Sequence, residues 1–330
     1  MNPNRSLSLL TAILSLLVTA CLHADSPFLW GVTGTAGAAS KLYAINPNTG
    51  KAIEVGPVGK KNVSGISVHP VSGVLYAMQG QRGGTTSLLI LNKRTGKTTT
   101  IGDLGQSIAD SAFTPAGTLY AYGAFSRDLF TVNLTNAMKT TVKLDVAVIG
   151  GCGITFDGTG DLFMTRSNSL ANLNPMNGNE DSVAVISGAT TNIDNLLTTR
   201  PDGVIFGGKR NNQAAPTRLY QINPTTGVTS LVSSVPLSLS GLSFDMAPKP
   251  VFRISGPKTK RTSRTTYRLR GIYKSIAPCT IKAKKAETME TEGSWSLSVS
   301  RLKPGTNRIK VVCQDAAGAK VTRPVRIIVE

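Results

Sequence analysis

The chain has 330 residues, of which 40% are apolar and 16% charged, a composition ordinary for a globular protein with a full core and room for two domains. Its formal charge of +18 is unevenly spread. From Lys249 to Glu330 there are 19 Lys and Arg against 5 Asp and Glu, whereas Asp25 to Pro248 holds 16 against 13. With only 2 histidines, the composition argues against His-dependent triads and His-rich zinc sites.

Residues 1–24 read as a secretory signal peptide: Arg5 supplies the charged start, and Leu7 to Ala20 is an apolar run too short to span a bilayer comfortably. Two processing sites compete, a lipobox-like Val18-Thr19-Ala20-Cys21, which would lipidate Cys21, and Leu22-His23-Ala24. Later segments offer no transmembrane helix, so the expected location is periplasmic, outer-membrane lipoprotein or extracellular.

The next residues repeat. SGISVHPVSGVLYAM from Ser64 returns as ADSAFTPAGTLYAY from Ala109, CGITFDGTGDLFMT from Cys152 and DNLLTTRPDGVIFGG from Asp194. Each copy predicts four short strands separated by Gly, Pro, Asn or Asp turns, the content of one propeller blade. LSGLSFD (Leu239 to Asp245) is a first strand with no blade after it, while FLWGVTG from Phe28 and KLYAINPNTG from Lys41 lack a first strand. Joining them closes a ring of five blades, six if one irregular blade is hidden, over residues 25–246. In NPNTGK, NKRTGK and NPTTGV, Gly accepts positive φ before the outer strand. This stretch, about residues 28–245, resembles the secreted bacterial propeller repeats with an LY-x-I-N/D-P-x-TG signature, a fold used for binding, scaffolding and catalysis alike.

The innermost strands are expected to begin around the central channel, so its mouth is assigned to Ser64, Asp110, Asp194 or Asn195, and Ser240. Asp110 and Asp194 are the only pair there with carboxylate chemistry, for a cation or for acid and base work in a glycosidase. Five-bladed glycosidases usually present a third carboxylate, which is missing here. His69 reads as a turn residue, and DGTGD (Asp157 to Asp161) as a turn rather than a Ca2+ loop, so no cofactor is assigned, with Ca2+ the one ion considered. Cys152 reads as a buried, inert thiol.

After the hinge 247–250, residues 251–330 show six or seven short alternating segments, an all-β sandwich. Cys279 and Cys313 are paired as a disulfide, worth roughly 3 kcal/mol if unstrained. Arg253, Arg268, Arg270, Lys274, Lys282 and Lys284 alternate with apolar or small residues and form a cationic patch for anionic polysaccharide, lipopolysaccharide or another envelope surface. Nucleic acid is disfavoured because stacking aromatics are few. The run from Trp295 to Gly318 resembles bacterial immunoglobulin-like domains of exported proteins, which implies a spacer or adhesion module without inherited catalytic residues; Trp295 is assigned to the core. The functional expectation is a non-enzymatic binding protein with a ligand or protein partner on the propeller. The alternatives are a carbohydrate-active enzyme and a purely structural envelope protein.

Overall fold

A computed structural model describes residues 26–34, 37–80, 84–126, 128–143, 153–166, 168–194, 196–211, 214–247, 251–274, 279–283, 286–290, 293–315 and 320–330. The expected signal peptide, Cys21, Cys152, Asn195, Lys284 and most of the hinge lie outside them. Among the described residues the protein is all β, without an α-helix.

Residues 26–247 form five sheets, antiparallel except for one short strand of the fifth. The first contains Gly241–Ala247, Ser26–Val32, Ala39–Ile45 and Ala52–Lys61, in that spatial order. Here the two ends of the repeat region pair directly, Phe28 opposite Asp245 and Trp30 opposite Ser243, as the incomplete repeats require. The second, third and fourth sheets open with Val63–Val68, Ile108–Phe113 and Ile154–Phe156 and proceed outward in chain order. The fifth opens with Leu197–Thr199 and carries an extra strand, Ser187–Gly188, parallel to Val228–Val235. The opening strands touch one another in a closed cycle, first sheet to second and on through the fifth back to the first. This is a propeller-type arrangement.

Each seam between neighbouring sheets has its own apolar core. Phe28, Trp30 and Val32 of the first sheet meet Val63, Ile66 and Leu75 of the second. On the opposite face, Leu29 and Ile45 meet Phe206, Leu219 and Leu242. Both faces of a middle strand are therefore buried, which is why these strands read as nearly continuous apolar runs instead of alternating ones.

The outer turns repeat one device. The side-chain oxygen of Asn46, Asn92, Asn133, Asn174 or Asn223 accepts a backbone N–H two residues on. The chain then crosses into the left-handed region at Gly50, Gly96, Ala137, Gly178 or Gly227.

Residues 251–329 form two further sheets, one of three strands (Val251–Ile254, Tyr267–Lys274, Gly293–Val299) and one of five (Thr259–Thr262, Lys320–Val329, Gly305–Asp315, Cys279–Ala283, Ala286–Glu290). They enclose a single core that includes Phe252, Leu269, Trp295, Ile281, Ile309, Val311 and Ile327. Trp295 is buried, stacks on Phe252 and donates its Nε1–H to the Arg253 carbonyl, the core role expected of it. Eight strands appear where six or seven were expected, because Thr259–Thr262 and Ala286–Glu290 add short edge pairings.

The expected disulfide needs correction. Cys313 is buried and free. The ladder sets Cys313 opposite Ile281 and Cys279 opposite Asp315. The two cysteines are thus diagonal neighbours on paired strands and not directly opposite, and no disulfide joins them.

Candidate functional site

The opening strands expose their inner edges to the central axis, and each unpaired N–H or C=O there needs a partner. Side chains of the neighbouring sheet supply many of them. Ser243 Oγ accepts the Val68 N–H at 2.9 Å, and Thr198 Oγ1 accepts that of Phe244 at 3.3 Å. Ser67 donates to the Ser111 carbonyl at 2.6 Å, and Thr155 and Thr199 bond through their hydroxyls at 2.9 Å. Ser67, Ser111, Thr155, Thr199 and Ser243 recur at intervals of 44 residues, and their hydroxyls bond across three of the five seams.

These residues form the floor of a cavity of about 360 Å3 at the end of the axis where the opening strands finish. Its walls include Phe113, Phe156 and Phe244, each braced edge-on by an aromatic ring from the second strand of the preceding sheet, Tyr76, Tyr120 or Phe206. Its rim is built from the following turns, with His69, Pro70, Thr114, Pro115, Asp157, Gly158, Arg200 and Pro201. Such a mixture of aromatic walls and converging hydroxyls suits a small polar ligand.

The charged groups of the cavity are tied to the protein. Asp245 accepts the Trp30 Nε1–H at 2.9 Å and is paired with Lys93, whose ammonium also meets the Gly73 carbonyl. Arg200 Nε donates to Asp202 at 2.7 Å, which holds the Asp202 carboxyl below its ordinary range, and the guanidinium lies over Phe206. Asp157 accepts the backbone N–H groups of Thr159, Gly160 and Asp161, the closed turn expected of DGTGD. His69 Nδ1 accepts the Val71 and Ser72 N–H groups, so the ring proton sits on Nε2. A Cβ at Gly117 would stand 2.6 Å from that ring, so the glycine lets the two turns meet.

Of the residues expected at the channel mouth, the described ones, Ser64, Asp110, Asp194 and Ser240, do not line this cavity. Ser64 is half-buried and opposite Met78, beside a bulge at Gly65. Ser240 is buried and donates to the Val32 and Val63 carbonyls, closing the seam between first and second sheets. Asp110 is buried in the seam between third and fourth sheets, where it accepts the Ile154 N–H at 3.0 Å. Burial pushes its carboxyl up to about 8, against the opposing pull of N–H bonds from Ile154 and Ser111. Asp194 accepts the Arg210 N–H and is ion-paired with Lys209 and Arg210 of the neighbouring strand. The two carboxylates therefore have separate partners. Among the described residues no cluster of three His, Cys, Asp or Glu side chains could hold a metal.

No family model and no curated protein matches the sequence. Solved propeller-type structures resemble the fold. A chain of a nidogen/laminin complex has a TM-score of 0.46 at 14% identity, over 66% of this chain and 98% of its own. Glutaminyl cyclase of Myxococcus xanthus has a TM-score of 0.42 at 16% identity, over 54% and 71%. Regucalcin, a calcium-binding protein of Agrobacterium tumefaciens, has a TM-score of 0.39 at 16% identity, over 64% and 76%. The likeness concerns the fold alone.

Of the sandwich patch, Arg253, Arg268 and Arg270 are exposed on the outer face of the three-stranded sheet, with Arg268 donating to Ser296 Oγ at 2.9 Å. Lys274 continues that strand, and its side chain lies outside the description. Lys282 projects from the other sheet, on the opposite side of the sandwich, because Ile281 and Ala283 beside it fill the core. The sequence pattern thus joined cations that the sandwich separates.

Proposed function

We propose that the protein is an exported binding protein: a five-bladed propeller, residues 25–246, joined by 247–250 to a basic immunoglobulin-like module, residues 251–330. The propeller holds a small polyhydroxylated ligand of saccharide type in its axial cavity, and the module docks on an anionic envelope polymer through Arg253, Arg268 and Arg270. The observation that carries the first part is the cavity, where three phenylalanines wall a floor of hydroxyls. Aromatic walls and hydroxyl partners together suit sugar rings. Its carboxylates, Asp157 and Asp245, are already bonded by a turn and by Lys93 with Trp30, which favours binding over acid–base chemistry.

Gly158 provides the test. It lines the cavity, its φ is ordinary and a Cβ there would meet nothing within 4 Å, so Gly158→Trp fills the entrance without backbone strain. On a glycan array the chain without residues 1–24 is expected to retain a short saccharide, and Gly158→Trp to lose it at unchanged thermal stability. Equal retention by both would remove the cavity from the proposal. For the module, Arg268→Glu with Arg270→Glu is expected to weaken salt-sensitive retention on an anionic polysaccharide column several-fold.

A further inference from the structure

The five-stranded sheet of the sandwich carries cations that the sequence pattern had not singled out. Ile309, Val311, Val325 and Ile327 point into the core, so Arg308, Lys310 and Arg326 face outward, and all three are exposed. The register sets Arg308 directly opposite Arg326 and Lys310 opposite Pro324. Two guanidinium stems thus leave the ladder about 5 Å apart at the backbone, with an ammonium two residues along. Among the described residues, no acidic side chain pairs with any of the three; the sheet's ion pair there is Arg261 with Glu330, at its edge.

Like charges directly opposite across a ladder repel, and an anion placed between them relieves that repulsion. Guanidinium groups suit carboxylate or phosphate oxygens, which accept two parallel N–H bonds from one fork. The outward positions around these cations on the two strands include Thr306, Val312, Thr322, Pro324 and Ile328, none of them aromatic for stacking a base. Most telling is the placement: this face and the Arg253, Arg268, Arg270 face lie on opposite sides of one sandwich. A single membrane surface cannot touch both, whereas polymer chains can pass on either side.

We infer that the outer face around Arg308, Lys310 and Arg326 is a second binding face for an acidic polysaccharide, so that one sandwich bridges two polymer strands. This rests on the docking reading of the first face, and the following experiment separates them. The chain without residues 1–24 is mixed with polygalacturonate, and both co-sedimentation and light scattering are measured. The wild type is expected to bind and to raise scattering through cross-linking, with both effects lost at high salt. Arg308→Gln with Arg326→Gln is expected to keep binding, several-fold weaker, and to lose the scattering, with the thermal midpoint verifying the fold. Arg268→Gln with Arg270→Gln is expected to do the same.

Scattering by the Arg308/Arg326 variant equal to the wild type's would overturn the second face and leave docking intact. Binding abolished by the Arg308/Arg326 change and untouched by the Arg268/Arg270 change would overturn both the bridge and the first docking face. Aggregation of phosphatidylglycerol vesicles with no binding to polygalacturonate would overturn the polysaccharide assignment.

Discussion

Asp110 illustrates how a carboxylate in a propeller seam can serve as a hydrogen-bond acceptor. It takes the Ile154 N–H as Ser243 and Thr198 take those of Val68 and Phe244, but it must be desolvated to do so. With the folded-state value raised from 3.8 to about 8, the folded protein binds a proton that the unfolded chain releases. Its contribution to stability is therefore full below about pH 4 and is lost as pH rises toward 8, by at most several kcal/mol. Asp110→Asn keeps the acceptor oxygen and removes the titration. Its denaturation midpoint is expected to exceed the wild type's at pH 9 and to vary less between pH 5 and 9, as urea melts would show; parallel pH profiles would refute the assignment. The sequence marked Asp110 as unusual among strand starts. It gave no sign that the residue lies inside a seam, because burial depends on the adjacent sheet.

Among the elements, the strand Gly241–Ala247 has the most consequence, since it alone joins the two ends of the ring. Its Asp245 is held by Trp30 from the paired strand and by Lys93 from the second sheet, with side chains 10% and 15% exposed for Asp245 and Lys93. Lys93→Ala removes the cation from a largely buried pair and is expected to cost about 2–3 kcal/mol in urea unfolding. Lys41→Ala, which breaks an exposed pair with Glu54, is expected to leave the midpoint unchanged. The strands Cys279–Ala283 and Gly305–Asp315 give a further test. Because their register keeps Cys279 and Cys313 diagonal, reductant is expected not to shift the thermal midpoint, and Cys313 is expected to react with thiol reagents only after denaturation. A midpoint lowered by reductant would show that the bridge forms.

Across the whole molecule, the ring and the sandwich have different charge and different internal contacts. Apolar seams close the ring on itself, and the core of residues 251–329 is drawn from those residues alone. Residues 25–247 made alone are accordingly expected to keep the saccharide retention proposed for the cavity while losing binding to polygalacturonate. If the shortened chain fails to retain the saccharide although its circular dichroism is that of folded β structure, the cavity would need the second module.

The repeat, its period and the pairing of its two ends were legible in the sequence, because strand alternation, turn residues and an incomplete first and last unit are local or countable properties. So was the concentration of cations after Lys249, which is a matter of composition. Even the hydroxyls of the cavity floor were present as a 44-residue recurrence, though nothing local distinguished them from ordinary strand residues. What only the tertiary structure decided was direction and side: which end of the axis opens into a cavity, which face of the sandwich each cation occupies, and that the two cysteines miss each other by two residues. A chain specifies its own alternation through its covalent geometry, but which neighbour an edge or a face meets is set by register and packing between segments far apart in sequence.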